Sequence, residues 1–203
     1  MGRKHILTKS PVHVWAENKN LCVFTSIKDF DSIQQKPDFI VVISYGVILR
    51  ENVLNCAPCL NIHPSSLPNY RGPSPIKTAI LNGDKNTDIC LMQMTAEMDA
   101  GDILLRENIA IDENDTNLEI EHKVSNVAIK LLNQYFENPS QYKPTPQAGN
   151  ATYTQKFTGN DEILDWTNTP QQIHNRIRAL GCGRTKINGV DVKILETRIE
   201  NGE

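Results

Sequence analysis

The segment that decides the fold runs from residue 60 to residue 72 and reads LNIHPSSLPNYRG. Asn61 and His63 lie two positions apart at the end of an apolar run, so on a β-strand their side chains point to the same face. The prolines and serines that follow make the chain turn, which leaves both side chains at the carboxyl end of the strand. Open α/β sheets bind their ligands at that edge. We therefore expect a ligand site around Asn61 and His63.

The chemistry of these side chains suits a reaction in which negative charge develops on an oxygen. An amide and an imidazole can both direct hydrogen bonds at such an oxygen. A carboxylate is needed to fix the tautomer of His63, and the best candidate is Asp99 in the segment EMDAGD, residues 97–102. Each residue also has a structural alternative: Asn61 can cap a loop, His63 can be a satisfied strand-end histidine, and Asp99 can belong to a turn. Their combination favours catalysis.

The hydrophobic pattern around this segment predicts an α/β sheet. Residues 39–44 form a continuous β-branched run, which is typical of a strand inside a parallel sheet, and residues 60–63 are the next parallel strand. Residues 87–94 and 103–111 alternate apolar and polar positions, which predicts a half-buried antiparallel pair whose hairpin carries Asp99. Shorter strands are predicted over residues 21–24, 152–157 and 190–194, the last after an Asn188-Gly189 hairpin turn.

Helices are predicted where capping residues precede an apolar period. Ser10-Pro11 and Ser74-Pro75 open two short helices, and Thr116 with Glu119 forms a capping box before a long amphipathic helix. Thr169-Pro170 opens another helix, in which His174 is expected on the surface or a helix face. The predicted helices cover residues 11–18, 74–81, 117–135 and 170–180.

Together these residues resemble the catalytic signature of the formyltransferases. The likeness rests on Asn61-x-His63, the turn from Ser65 to Pro68, Tyr70-Arg71-Gly72 and Asp99-x-Gly101-Asp102. Within that family, the chain is similar to the enzymes that formylate methionyl initiator tRNA. The resemblance implies a doubly wound, Rossmann-like sheet that lacks its first βαβ unit, followed by the start of a small C-terminal β domain. The implied domains are an incomplete catalytic domain (1–138), a proline-containing linker (139–151) and a truncated barrel-like domain (152–203).

The resemblance also implies an activity and roles for the residues. A formyl group would move from 10-formyltetrahydrofolate, the donor substrate, to the amino group of methionyl initiator tRNA. Asn61 would donate to the oxyanion. His63, as an imidazolium, would be the second donor and pass a proton to the leaving folate nitrogen. Asp99 would hold His63 and accept the amine proton through water.

Binding residues are carried over from the same resemblance. The basic residues Arg3, Lys4 and Lys9 resemble part of a loop that contacts the tRNA acceptor stem. For the segment from Tyr45 to Leu49 in the donor site, core packing is the alternative, and it is favoured for Ile48. The residues expected to contact the folate are Tyr45, Gly46, Val47, Ile48, Leu49, Ser65, Ser66, Leu67, Pro68, Thr95 and Glu97.

The composition limits the partners that the chain can have. A net charge of -3 gives no general attraction to nucleic acid, so RNA contact must come from a local basic patch. One basic patch lies near the N-terminus and a second lies in the C-terminal part of the chain. For each patch, the alternative is ordinary solvated charge on the surface without a nucleic-acid partner. The second patch consists of Arg176, Arg178, Arg184 and Lys186.

Neither a metal nor a disulfide is expected. The 5 cysteines are an odd number, which argues against a disulfide framework. Cys56-x-x-Cys59 precedes a strand instead of opening a helix, unlike a redox pair, and no second ligand pair has zinc spacing. No apolar run reaches the roughly 20 residues of a membrane span, and no secretory signal begins the chain. We expect a cytoplasmic monomer.

Two other functions remain open at this point. The same site could formylate an amino sugar or another small amine, which would fit the short C-terminal part but leaves the N-terminal basic loop unexplained. Alternatively, the chain could be a folate-binding or RNA-binding remnant without turnover.

Overall fold

The computed structural model describes residues 8–33 and 35–200. The chain divides into two compact units, residues 1–37 and residues 38–203. Arg3 and Lys4, predicted to bind tRNA, lie outside the described residues.

The first unit contains helix α1, Pro11–Asn18, and a 3₁₀ helix over Ile27–Ser32. The predicted cap of α1 is confirmed, because the hydroxyl oxygen of Ser10 accepts a hydrogen bond from the N–H of His13 at 3.2 Å. The strand predicted over residues 21–24 is wrong, since these residues form no strand. An apolar run of that length needs a neighbouring strand to pair with it, and no described strand does so.

The second unit is built on a four-stranded sheet with the spatial order β1-β2-β3-β4. The strands are Ile40–Val42 (β1), Cys59–His63 (β2), Asn86–Gln93 (β3) and Ile103–Ala110 (β4). β1 and β2 are parallel, as predicted, and the other two pairings are antiparallel. The predicted mixed α/β fold is confirmed, although β1 is shorter than expected. No described helix is long and apolar enough to cross a membrane.

Four α-helices belong to the described part of this unit. They are Glu51–Leu54 (α2), Pro75–Asn82 (α3), Asn117–Glu137 (α4) and Pro170–Leu180 (α5). α4 packs against the sheet, and α3 and α5 pack against α4 and against each other. The capping box of α4 is confirmed: the N–H of Glu119 donates to the hydroxyl of Thr116, and the Glu119 carboxylate accepts from the N–H of Thr116. Thr169 and Gln172 form the same box at the start of α5. These caps satisfy N–H groups that have no partner inside the helix.

Strand β3 is buried on both faces, so the prediction of a half-buried strand is wrong there. One face packs against α4 and the other against Leu67, which lies in the turn after β2. A central strand covered on both sides buries its polar positions as well, as Thr87 and Asp88 do. The core between the sheet and α4 consists of Leu60, Ile62, Ile89, Leu91, Leu104, Ala128, Leu131 and Tyr135.

The C-terminal part of this unit forms a second, two-stranded sheet. Gly183–Ile187 (β5) and Val190–Ile194 (β6) pair antiparallel around Asn188-Gly189, as predicted. Both turn residues have positive φ, which is the geometry that Asn-Gly hairpins favour. The strand predicted over residues 152–157 is wrong: only Tyr153 makes an isolated bridge, to Arg71.

Candidate active site

The predicted Asn61, His63 and Asp99 come together at the end of β2. The Nδ2 atom of Asn61 lies 3.4 Å from Oδ1 of Asp99, and Nδ1 of His63 lies 3.6 Å from Oδ2 of the same carboxylate. Asn61 and His63 lie on β2, between β1 and β3, while Asp99 lies in the hairpin between β3 and β4. The sheet and one hairpin are therefore enough to assemble the three side chains.

The Asp99 hairpin has a tightly constrained backbone. Asp99 itself has a φ of +50°, a conformation that aspartate tolerates better than most residues. A Cβ atom at Gly101 would lie 1.8 Å from the carbonyl oxygen of Gln93, so only glycine fits there. The glycine in Asp99-x-Gly101-Asp102 thus allows the hairpin to approach β3 closely enough to bring Asp99 to the site.

His63 is a buried ring that is held by a main-chain carbonyl on one side and faces Asp99 on the other. It is 4% exposed, and Nε2 lies 3.0 Å from the carbonyl oxygen of Tyr70. Because a carbonyl only accepts, Nε2 carries the hydrogen and Nδ1 faces Asp99. Burial lowers the pKa of His63, while the nearby Asp99 charge and the bond to Tyr70 act in the opposite direction. Burial therefore opposes the imidazolium that we expected from the sequence.

Asn61 keeps a hydrogen-bond donor available. Its amide has two N–H hydrogens, and only one points to Asp99, over a long distance of 3.4 Å. The side chain is partly buried, which limits competition from water. Asn61 can therefore donate to an oxygen bound at the end of β2 while Asp99 orients its amide.

The turn after β2 is locked by hydrogen bonds. The hydroxyl of Ser65 donates to the carbonyl of Asn69 at 2.6 Å, and Nη2 of Arg106 donates to the carbonyl of Leu67 at 2.7 Å. Ser65 and Leu67 are buried, Ser66 is half-buried, and Pro68 is also buried after a cis peptide bond. The turn therefore shapes the floor of the site more than it offers side chains to a ligand.

The segment from Tyr45 to Leu49 leaves the sheet after β1. Because β1 is parallel to β2, this segment begins at the same edge as Asn61 and His63. Ile48 is 86% exposed, so the alternative of core packing is wrong for it, and Leu49 is the buried residue instead. Tyr45 and Val47 are also exposed. Residues 45–48 therefore present an exposed apolar surface, whereas Leu49 packs into the core.

Three side chains adjoin the hairpin although none was predicted to have a role in the site; of these, only Arg71 belongs to the quoted signature. Arg71 is 9% exposed and donates from Nη1 to the carboxylate of Glu97 at 2.9 Å. The same Nη1 lies 3.5 Å from the hydroxyl of Tyr153, and Nη2 donates to the side-chain oxygen of Gln147 at 2.9 Å. The hydroxyl of Thr95 donates to the main-chain oxygen of Glu97. Gln147 lies in a segment with three prolines whose composition indicated only a linker.

The predicted tRNA residues lie in the first unit. Of these, only Lys9 is among the described residues, and its Nζ pairs with the carboxylate of Glu17 at 2.7 Å. Both side chains are solvent-exposed, so such a pair exchanges readily for another anion. Within residues 8–33 and 35–200, no group of three His, Cys, Asp or Glu side chains could hold a metal ion.

Two family models match this chain. The model described as formyl transferase matches residues 3–135, and the one described as formyl transferase, C-terminal domain matches residues 156–203. The first covers more than half of the chain by itself. The chain therefore belongs to the formyl transferase family.

One curated relative and two solved structures are similar to this chain. The methionyl-tRNA formyltransferase of Ehrlichia ruminantium (strain Gardel) is 41% identical over 188 residues, and the chain spans 61% of that protein's length while the match covers 88% of the chain. A sugar N-formyltransferase from Shewanella sp FDAARGOS_354 superimposes with a TM-score of 0.69 at 22% identity, covering 88% of this chain and 76% of that one. HypX from Aquifex aeolicus, in complex with tetrahydrofolic acid, superimposes with a TM-score of 0.68 at 22% identity. This match covers 77% of this chain and 28% of the HypX chain. At these identities both structures show the fold alone.

Proposed function

We propose that this chain transfers a formyl group from 10-formyltetrahydrofolate to the amino group of methionyl initiator tRNA, as a cytoplasmic monomer. The observation that carries the proposal is the convergence of Asn61, His63 and Asp99, with both contacts to the carboxylate at 3.4–3.6 Å. The acceptor is suggested by the 41% identical methionyl-tRNA formyltransferase. A folate donor is suggested by the family and by the tetrahydrofolic acid in the structure of HypX.

The reaction makes and breaks one bond at the formyl carbon. The neutral amine attacks that carbon, and the oxygen becomes negative until the bond to the folate nitrogen breaks. Asn61 donates its available N–H to this oxygen, a contact whose loss typically costs about 10²–10³ in turnover. One proton must move from the amine to the folate nitrogen, so no net proton is consumed.

His63 and Asp99 are placed to move that proton. Nδ1 of the neutral ring accepts it, and the resulting imidazolium is stabilised by Asp99 at 3.6 Å. The proton then passes to the leaving nitrogen. This sequence assigns His63 the role of a base first and an acid second, because burial favours the neutral ring in the resting enzyme.

The donor would bind along the apolar edge of the sheet. Exposed Tyr45, Val47 and Ile48 offer a surface that a planar ring system can cover, and the backbone at Gly46 adds little bulk. The residues predicted to contact the donor also include the locked turn after β2 and the pair Thr95 and Glu97. In this proposal the turn acts through its shape and its main chain.

The acceptor would be held by basic residues near the N-terminus. We propose Arg3, Lys4 and Lys9 as tRNA contacts, and we divide the chain into a catalytic domain (1–138), a linker (139–151) and a C-terminal domain (152–203). The two family matches, residues 3–135 and 156–203, are compatible with this division.

Single-turnover formylation tests the proposal. Methionyl initiator tRNA and 10-formyltetrahydrofolate are mixed with excess wild-type chain, His63→Ala or Asp99→Asn. Matched controls are His122→Ala and Asp191→Asn, which change exposed residues of the same types. We expect activity in the wild type and both controls, and a loss of about 10²-fold or more in the two site variants.

Other outcomes separate the alternatives. Formylation of amino sugars or small amines but not of tRNA would keep the site and overturn the acceptor. Folate binding without any transfer would overturn the catalytic role and favour the remnant. Equal activity in wild type and His63→Ala would overturn the assignment of His63.

A further inference from the structure

The main chain of the hairpin that carries Asp99 is bound from outside the sheet by the side chain of Gln147. The Nε2 atom of Gln147 donates to the main-chain oxygen of Asp99 at 2.8 Å and to that of Gly101 at 2.8 Å. Both N–H hydrogens of the Gln147 amide therefore bond to main-chain carbonyl oxygens of the same turn. Gln147 lies more than forty residues further along the chain, after the short 3₁₀ helix Pro139–Gln141 and two positions beyond Thr145, which bridges to Ile103.

The other end of the same amide is fixed by Arg71. Oε1 of Gln147 accepts from Nε of Arg71 at 3.2 Å and from Nη2 at 2.9 Å. Arg71 is itself buried and paired with Glu97 at 2.9 Å. Because both ends of the Gln147 amide are occupied, the side chain has one orientation that satisfies all of its partners.

This contact bears on the position of the Asp99 carboxylate. A non-glycine residue at a φ of +50° persists only where its surroundings stabilise it, since the strain is typically about 1–3 kcal/mol. Gln147 stabilises the main chain of Asp99, while the N–H of Gly72 holds the carboxylate at 2.7 Å. The 3.6 Å gap between Asp99 and His63 depends on both restraints.

We propose that Gln147 is a positioning residue, which holds the Asp99 hairpin so that the carboxylate faces His63 and Asn61. It touches neither substrate nor the reacting atoms. The catalytic consequence rests on the proposed function, whereas the structural consequence, the distance between Asp99 and His63, does not.

Two variants remove the contact in different ways. Gln147→Met has a similar length but neither donates nor accepts at that position. Gln147→Glu keeps an acceptor for Arg71 and places a carboxylate against the two carbonyls, so it tests the proposal even if the first variant folds poorly. Gln141→Met is the matched control, because Gln141 is an exposed residue of the same type in the same segment.

Two measurements are made on each protein. The first is single-turnover and steady-state formylation, where we expect kcat to fall by about 10²-fold in both Gln147 variants with little change in the KM for the donor. The second is the NMR titration of His63, whose ring signal is assigned by its loss in His63→Ala. Since Asp99 raises the pKa of His63, retraction of Asp99 lowers that pKa, and Asp99→Asn gives the full effect for comparison.

A lower kcat together with a lower His63 pKa, both absent from the Gln141→Met control, supports the proposal. An unchanged titration overturns it, even if activity falls, because Gln147 would then act without moving Asp99. If the wild-type chain does not formylate, the proposed function fails, and the titration alone still decides whether Gln147 positions Asp99.

Discussion

The main-chain N–H of Gly72 donates a hydrogen bond to Oδ2 of Asp99 at 2.7 Å. This contact joins the segment Tyr70-Arg71-Gly72 to the hairpin of Asp99, two stretches that are separated by a helix and a strand. Gly72 has a φ of +109°, and a Cβ atom there would lie 2.9 Å from the hydroxyl of Thr154. The glycine therefore lets the chain pass close to Thr154 while its N–H points at the carboxylate.

That hydrogen bond predicts different outcomes for two substitutions of Asp99. Asp99→Asn keeps an oxygen that can accept from Gly72, and asparagine tolerates positive φ, so we expect the free energy of unfolding to change by less than about 1 kcal/mol. Asp99→Leu leaves the buried N–H without its acceptor and strains the backbone, which should destabilise the fold by about 1–3 kcal/mol. Urea unfolding of the two variants measures the difference. Equal stabilities would contradict the role given to this bond.

Gly101 provides a second test, which concerns packing alone. Gly101→Ala places a methyl group 1.8 Å from the carbonyl oxygen of Gln93, so the hairpin must move away from β3. We expect a loss of about 1–3 kcal/mol or more in the free energy of unfolding. Gly46→Ala is the matched control, because nothing lies within 4 Å of a Cβ at that position. If both variants unfold at the same urea concentration, the close approach at Gly101 is not required.

The parts of the site that follow from local sequence patterns could be predicted. The two-residue period of a strand places Asn61 and His63 on one face, and turn residues place Asp99 in a hairpin. Gln147 could not be found in this way, since its partners are the main-chain oxygens of a distant turn, and any residue offers such oxygens. The direction of the pKa shift of His63 could not be predicted from the sequence either, because it depends on burial beneath the turn after β2.

Helix α5 illustrates the same limit in the fold. Its buried residues include His174 and Arg178 as well as the apolar Ile177. His174 was expected on the surface or a helix face; it is buried, with Nε2 3.1 Å from the carbonyl oxygen of Glu113 and Nδ1 2.9 Å from the hydroxyl of Thr197. Periodicity shows where apolar residues lie, but it does not reveal carbonyl groups that allow polar side chains to be buried.

The pKa of His63 predicts how stability depends on pH. Burial lowers this pKa in the folded state, so below the ordinary value of about 6.5 the unfolded chain binds a proton before the folded one does. The stabilising contribution is present above that pH and is lost as the pH falls toward the folded-state pKa, by up to about 1.4 kcal/mol per pH unit. Urea unfolding from pH 7.5 downward should therefore show a weaker pH dependence in His63→Gln than in the wild type. Parallel curves would mean that the ring titrates alike in both states.

The buried side chain of Arg178 links α5 to the loop between β4 and α4. It is 6% exposed, and its Nη1 donates to the carbonyl oxygens of Asp112 and Asp115 at 3.3 and 2.8 Å. Arg178→Met has similar bulk but leaves both carbonyls without this donor, so we expect a loss of about 1–3 kcal/mol in the free energy of unfolding. Arg184→Met removes an exposed pair with Glu162 at 3.6 Å and should cost less than about 1 kcal/mol. A larger loss in Arg184→Met than in Arg178→Met would show that the loop does not depend on the buried guanidinium.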